Sequence, residues 1–229
     1  MTKKAMQNII DIENLQLHLK SEAGDLQILK NINQKMQQGQ TICVVGPSGS
    51  GKTSLMMLLG GLEKPTSGTI TIQNTEITEL DENQLAKFRQ EHIGIVFQNF
   101  HLIPTMTAVE NIAIPLEFAG EKNAFKKAEE ALEQVGLKER AKHYPSQLSG
   151  GEQQRVAIAR AFVSMPKILL ADEPTGNLDV ETGQKIIDLM FNLCEKSGTT
   201  LVLITHDPEL AAKCDQRLHL IDGEIQNVD

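Results

Sequence analysis

The sequence is short of cysteine, of long apolar runs and of base, and each shortage removes a class of protein. Its three cysteines, Cys43, Cys194 and Cys214, are an odd number at no metal-ligand spacing. They are expected as free thiols in a reducing compartment, not as a disulfide framework or a zinc site. No apolar stretch approaches the roughly 18 residues that cross a bilayer. The longest, residues 55–62, is broken by Gly60 and Gly61. The start Met-Thr-Lys-Lys is basic, but Asp11 and Glu13 interrupt the stretch after it, so no signal peptide is expected. The chain is therefore expected in the cytoplasm, and any spanning of a membrane falls to another chain. Lys and Arg number 22 against 30 Asp and Glu, a net charge of −8. A protein that binds nucleic acid by neutralising phosphates would be basic, so no nucleic-acid partner is expected. Only 17 Gly and 8 Pro, with apolar residues in short mixed runs, exclude collagen, coiled coil and disorder.

What is present is an ordinary globular balance, 40% hydrophobic and 23% charged over 229 residues. That length buries a sizeable core without disulfides or metal. No repeat or Pro/Ser-rich linker interrupts it. Loose alternation over 9–19 and 26–36 predicts two strands, the second closed by Gln38 and Gly39. The short apolar run 41–45 predicts a buried strand, followed by a glycine-rich loop and a helix over 52–62. A strand over 69–72, a helix that Asp81 caps through 91, and an apolar run over 93–97 come next. The middle third turns helical: 109–118, then Ala124, Ala128, Ala131, Leu132 and Val135 at three-four spacing up to Gly136, then 150–163. Alternation resumes with strand 168–171, helix 181–196, strand 200–205, helix 208–212 and strand 217–221. Strands alternating with helices predict a parallel α/β sheet, and the helical insertion predicts a second lobe rather than an independent domain.

Gly46, Pro47, Ser48, Gly49, Ser50, Gly51, Lys52 and Thr53 fit G-x-x-x-x-G-K-[ST] in full, with an apolar strand before and a helix after. Glycines let successive backbone N–H groups turn inward onto a polyphosphate, and the helix N-terminus adds its positive end. Lys52 supplies a mobile charge for the β- and γ-phosphates, and Thr53 a hydroxyl for Mg²⁺. The motif predicts nucleoside triphosphate binding; kinases, GTPases, helicases and transport ATPases share it.

Four further residues take meaning beside that loop. The run 168–171 ends in Asp172 and Glu173, and paired carboxylates at a buried strand end are costly unless they bind something. Strand alternation would point them to opposite faces, Asp172 to the Mg²⁺ and Glu173 to the attacking water. His206 comes after the apolar run 200–205; alone it reads as a structural cap, but an imidazole at that sheet edge can hydrogen-bond a γ-phosphate. Gln98, after 94–97, offers an amide oxygen to Mg²⁺, although a lone Gln would be dismissed.

Leu148, Ser149, Gly150, Gly151, Glu152, Gln153, Gln154 and Arg155 separate the phosphate-loop classes. This stretch resembles the signature sequence of ATP-binding-cassette ATPases, and the chain carries the rest in that family's order: loop 46–53, Gln98, signature 148–155, Asp172 with Glu173, the Gly-Asn-Leu-Asp loop 176–179, and His206. The stretches 97–111 and 172–179 resemble the branch that holds subunits of lipoprotein-release, macrolide-export and related export systems, together with a cell-division ATPase.

The resemblance implies an α/β P-loop NTPase fold, a RecA-like parallel sheet core with an antiparallel β subdomain and a helical signature subdomain. It implies one nucleotide-binding domain over 1–229, with a catalytic lobe of 1–98 and 164–229 and a helical lobe of 99–163. ATP would lie on 46–53 and Ser54, with Mg²⁺ on Thr53, Gln98 and Asp172. Glu173 would serve as base, with His206, Lys52 and Gln98 completing the catalytic set. Ser149, Gly150, Gly151, Glu152 and Asp179 would reach the ATP of a second copy, so that a homodimer closes head to tail around two ATPs. The family usually sets an aromatic near the end of the first strand against adenine. Here Leu19 takes that place by register, with an apolar face and no stacking, so modest base discrimination is expected.

The function implied is ATP hydrolysis that powers a separate membrane permease, with the chain held peripherally on the inner membrane through that partner. The rival is the same ATPase acting as a mechanical signalling module without a cargo. A soluble cassette machine on DNA or ribosomes fits the acidic charge poorly, and a plain GTPase or small-molecule kinase leaves 148–155 unexplained. The charged run 122–140 is expected as a solvated helical face, Met56 and Met57 as core. Phe97, Phe100, Leu102 and Ile103 are read as core packing or as a groove for a permease helix.

Overall fold

The computed structural model describes residues 7–21 and 24–229; the basic start at residues 1–4 lies outside them. In chain order the elements are β1 (Asn8–Ser21), β2 (Gly24–Gln37), β3 (Thr41–Val45), α1 (Lys52–Leu59), β4 (Ser67–Ile72), β5 (Thr75–Glu76), α2 (Glu82–His92), β6 (Ile93–Val96), α3 (Ala108–Phe118), α4 (Ala124–Gln134), α5 (Gly150–Phe162), β7 (Ile168–Asp172), α6 (Val180–Ser197), β8 (Thr200–Ile204), α7 (Pro208–Ala211), β9 (Gln216–Ile221) and β10 (Glu224–Val228). They fall into two compact units, one running up to Arg89 and resuming over Thr200–Asp229, the other Gln90–Thr199. Among the described residues no helix is long and apolar enough to cross a membrane.

The first unit holds an antiparallel sheet in the order β2-β1-β4-β5. The alternation in its two long strands is loose for a physical reason. Asn14 and Asn31 adopt positive φ, 50° and 51°, and the β1–β2 register shifts beside them, between Ile12 and Leu15 and again before Leu17. Asparagine tolerates that conformation because its short amide can bond locally. Leu15, Leu17, Leu29, Ile32 and Met36 are buried on one face.

The same unit carries the order β10-β9-β3-β8. β3 runs parallel to both neighbours, Val44 pairing with Ile204 and with Leu218. Ile42 to Val44 and Leu201 to Ile204 are all buried, as befits parallel strands covered on both faces. Helix α1 turns Leu55, Met56, Leu58 and Leu59 inward. It ends at Leu59, short of the expected 62, because the chain turns at Gly60 and Gly61, where Arg89 donates to the Gly61 carbonyl at 2.6 Å. β10 is a strand that the alternation pattern does not announce. Its hairpin turns on Asp222 and Gly223, with φ of 49° and 78°, the pair of left-handed residues a tight hairpin requires.

In the second unit β6 and β7 pair in parallel, Ile93 with Ile168 and Val96 with Ala171. Helices α3, α4 and α5 enclose an apolar cluster that includes Ile112, Leu116, Ala128, Leu132 and Val156. Thr107 and Glu110 form a reciprocal capping box at the start of α3. Fully buried Asn111 fastens the preceding loop, accepting from Ile103 N at 2.7 Å and donating to the carbonyls of Ile103, Met106 and Thr107. The outer face of α4 and its flanks is solvated. Its lysines pair with neighbouring acids, Lys127 with Glu121 and Lys138 with Glu133, and water screens such exposed pairs so that they add little to stability.

Candidate functional site

The phosphate loop leaves β3 after Val45 and packs hard on its neighbours. A Cβ on Gly46 would lie 2.0 Å from the Leu220 carbonyl oxygen and 2.9 Å from Ser50 Oγ, so only glycine lets the strand end turn there. Ser50 Oγ is buried and has no hydrogen-bond partner among the described residues. It is a polar group inside the loop that a phosphate oxygen can satisfy. Lys52 Nζ donates to the carbonyls of Gly46 and Pro47 at 3.0 and 2.8 Å, which holds the ammonium over the loop backbone. Thr53 is exposed and Ser54 half-buried in the first turn of α1. The loop therefore fits a triphosphate: a glycine cradle, an unmet hydroxyl and a tethered cation.

His206 reaches the same edge. β8 lies beside β3, and Thr205 N bonds the Val44 carbonyl at 3.4 Å. His206, exposed, comes next in the chain. Asp207 then caps α7 by accepting from Glu209 N and Leu210 N at 2.8 and 3.3 Å. Ligands of open α/β sheets gather at the carboxyl ends of such strands. Leu19 belongs to the other sheet of this unit. It is 44% exposed and stands opposite Leu26, 59% exposed, so the two present an apolar pair to solvent.

In the second unit Asp172 ends β7, but Glu173 does not continue it. Its φ is 42°. The expectation that strand alternation separates the two carboxylates is thus corrected: a left-handed residue, not the pleat, re-aims Glu173. Such a conformation costs a non-glycine residue about 1–2 kcal/mol and gathers at functional sites. The chain then runs through Gly176, Asn177 and Leu178 to Asp179, which caps α6 by accepting from Thr182 N at 2.9 Å. That bond holds the Asp179 carboxyl below its ordinary value.

Gln98 is half-buried and contacts this segment: its Nε2 lies 3.4 Å from Asn177 Oδ1. Beyond it, Arg160 of α5 donates to the Phe100 and His101 carbonyls at 2.9 and 2.7 Å. His101 takes φ 47° and stands edge-on to Phe97, ring centroids 5.0 Å apart. Phe97, Phe100 and Leu102 are half-buried and Ile103 is 39% exposed.

Ser149 is the N-cap of α5 and shares a capping box with Glu152, Ser149 N donating to Oε2 at 2.8 Å. Arg140 Nε bonds the other carboxylate oxygen at 3.0 Å. The Ser149 amide first, then Arg140, hold the Glu152 carboxyl down to about 2. The Ser-x-x-Glu and Thr-x-x-Glu spacings signal both boxes in the sequence. Arg160, Gln154 and Asn177, which fasten the functional loops, carry no such signal.

Each unit carries hard oxygen donors of its own: Asp172 offers a carboxylate and Gln98 an amide oxygen in the second, and Thr53 a hydroxyl in the first. Hard oxygens without thiol or imidazole suit Mg²⁺. Among the described residues no group of three or more His, Cys, Asp and Glu is placed to hold a metal. Mg²⁺ commonly takes one or two carboxylates and completes its shell with substrate phosphate and water. The three free cysteines take no part: Cys43 and Cys194 are buried and Cys214 is half-buried.

Comparison with known proteins gives one answer. Residues 29–176 match the family model described as ABC transporter. The chain is 46% identical to the uncharacterised ABC transporter ATP-binding protein YbbA of Escherichia coli K12, over 96% of this chain and 97% of that one. It is 49% identical to the lipoprotein-releasing system ATP-binding protein LolD of Legionella pneumophila, over 87% and 89%. Among solved structures it superposes on the dimeric, post-hydrolysis cassette MJ0796 bound to ADP and Pi. There the TM-score is 0.88 and the identity 40%, over 96% and 97% of the two chains. The fold is that of P-loop NTPases, and the chain belongs to the ABC transporter family as an ATP-binding, ATP-hydrolysing subunit.

Proposed function

We propose that two copies of this chain close head to tail around two ATPs and that hydrolysis drives a separate integral membrane permease. Residues 46–53 and Ser54 hold the polyphosphate of a copy's own nucleotide, and Leu19 lies against its adenine. Ser149, Gly150, Gly151, Glu152 and Asp179 meet the nucleotide of the partner. The observation that carries this reading is the presence in one chain of two elements suited to an anion, in different compact units. One is the glycine cradle under Lys52, the other the serine-capped, glycine-led start of α5. The likeness to a cassette solved as a dimer supports it.

In the reaction Glu173 takes a proton from the attacking water. The water oxygen bonds the γ-phosphorus, the bond to the β–γ bridging oxygen breaks, and ADP and phosphate result. His206 hydrogen-bonds the γ-phosphate and steadies the water. Lys52 moves from the loop carbonyls to the β- and γ-phosphate oxygens. Thr53, Asp172 and Gln98 would hold Mg²⁺, which when bound neutralises charge on those oxygens. Loss of the γ-phosphate removes the contact between the copies and lets them part. Functionally the catalytic lobe takes in 1–98 and 164–229, and the helical lobe 99–163 carries the signature and meets the permease.

The relatives named for lipoprotein release favour a cargo handled in export or envelope transport, of lipoprotein, lipid, peptide or macrolide type. The chain then sits on the cytoplasmic face of the cell membrane, held there by the permease. Two measurements test this. With ATP, Glu173→Gln is expected to run as a dimer and to lack turnover, whereas undiminished turnover removes Glu173 as base. Pull-down from detergent-solubilised membranes is expected to return one integral membrane protein, whose substrate path separates transport from signalling.

A further inference from the structure

The side chain of Asn177 is clamped in one orientation, and that orientation dictates another. Asn177 Nδ2 donates to the Gln98 carbonyl at 3.1 Å and to Asn99 Oδ1 at 2.9 Å. A main-chain carbonyl can only accept, so the NH₂ of Asn177 is fixed toward it and Oδ1 is fixed on the other side. Oδ1 also can only accept. It therefore selects Nε2 of Gln98, 3.4 Å away, and the Gln98 amide is held with Oε1 as the atom presented to a ligand. For a hard cation this is the decisive half of the group, since an amide nitrogen is no ligand for Mg²⁺.

Gly176 completes the clamp. A Cβ there would come within 2.7 Å of Gln98 Nε2 and 3.1 Å of its Cδ. The glycine thus lets the amide lie flat on the loop backbone. Asn177 and Asn99 are both exposed, so the amide pair stabilises the fold little, and its geometric effect falls on Gln98.

The geometry points to Asn177 as a positioning residue: it sets the amide orientation of Gln98 so that oxygen, not nitrogen, faces the metal, and it ties that choice to the loop between Glu173 and Asp179. This rests on the reading of Gln98 as a Mg²⁺ ligand. In this role Asn177 is not itself a ligand; it acts through Gln98.

The test is a Mn²⁺ titration followed by electron paramagnetic resonance, on full-length protein with a non-hydrolysable ATP analogue. Metal-free binding of the analogue in EDTA is measured in parallel. Asn177→Ala is expected to weaken Mn²⁺ about tenfold, the lower end of the range for groups that orient a metal ligand, and to leave metal-free nucleotide binding unchanged. Gly176→Ala, which pushes the amide away without touching Asn177, is expected to do the same. The pair Gln98→Ala/Asn177→Ala is expected to bind Mn²⁺ no worse than Gln98→Ala alone, because one residue acts through the other. If Gln98→Ala weakens Mn²⁺ while Asn177→Ala and Gly176→Ala do not, the positioning role is overturned and the metal role of Gln98 stands. If Gln98→Ala leaves Mn²⁺ affinity intact, the metal role itself fails. Equal loss of metal-free nucleotide binding would mark Asn177 as merely structural and overturn the proposal as well.

Discussion

Gln154 Nε2 donates to the Pro174 carbonyl oxygen at 2.7 Å, which ties the helix opened by Ser149 to the peptide just after Glu173. Gln154 is wholly buried, and its Oε1 has no hydrogen-bond partner among the described residues. Gln154→Leu removes the donor and strands the Pro174 carbonyl, at a cost of about 1–3 kcal/mol, but it also removes the unmet oxygen. The two effects oppose, so the expected loss is about 1 kcal/mol. Gln154→Glu keeps the size, loses the donor and buries an acid, so it is expected to lose more than the leucine variant at neutral pH. Urea denaturation of both variants measures this. If the tie also aims Glu173, kcat falls in Gln154→Leu while KM is unchanged; a leucine variant with native stability and native kcat leaves the bond without consequence.

The φ of 42° at Glu173 sets activity against stability at one position. A residue with a Cβ pays about 1–2 kcal/mol for that conformation, and glycine does not. Glycine gives part of this back through the greater freedom of its unfolded chain. Glu173→Gly is therefore expected to be more stable than Glu173→Ala by about 1 kcal/mol, or about 2–4 °C in melting temperature for a chain of this size. Both variants lack the carboxylate, so both are expected to lack turnover. Calorimetry of the pair reads the difference, and an alanine variant as stable as the glycine one would show that the backbone is unstrained there.

Glu152 links the signature helix to pH. Its carboxyl titrates at about 2 in the folded chain against an ordinary 4.5, so the unfolded chain binds the extra proton first. The stabilisation is therefore complete above pH 4.5 and fades as the pH falls toward 2. Glu152→Gln keeps an acceptor for Ser149 N and loses the charge that Arg140 and the helix start favour. At about pH 7 the variant is expected to be less stable than the native chain, and by about pH 2–3 the gap is expected to close. A gap that stays constant across that range would deny the carboxylate any part in it.

The sequence made most of this site legible because the chemistry demands fixed residue types. A phosphate cradle needs glycines and a lysine at set spacing, and 46–53 could be read directly. The buried strands 41–45 and 200–204 show as unbroken apolar runs because both faces are covered. What stayed hidden depends on one residue's backbone or on a distant partner. Glu173 leaves its strand through a single left-handed φ, which no composition announces in a glutamate. Asn14 and Asn31 shift the register of β1 and β2 without breaking the apolar count. Gln154 and Asn177 are ordinary amides until the fold sets Pro174 and Gln98 beside them, 20 and 79 residues away in sequence.

On the reading proposed, which sets Leu19 against the adenine, this residue decides how the base of the nucleotide is met. With Leu26 it makes an exposed apolar pair on β1 and β2, which can cover one face of a purine. An aliphatic side chain offers dispersion and burial but no π-face, and stacking between aromatic rings is worth about 0.5–1.5 kcal/mol beyond burial. Leucine also carries no donor or acceptor that could tell the amino group of adenine from the carbonyl of guanine. Discrimination in such a site arises from a buried polar group left unpaired by the wrong ligand, and an apolar face leaves none. The Kd values for ATP and GTP are therefore expected to lie within about tenfold of each other, or about 1.4 kcal/mol. Leu19→Tyr is expected to tighten both through stacking. Equilibrium binding of the two nucleotides to the native chain and to the tyrosine variant measures this. A preference for ATP of about a hundredfold or more in the native chain would mean that polar groups elsewhere read the base.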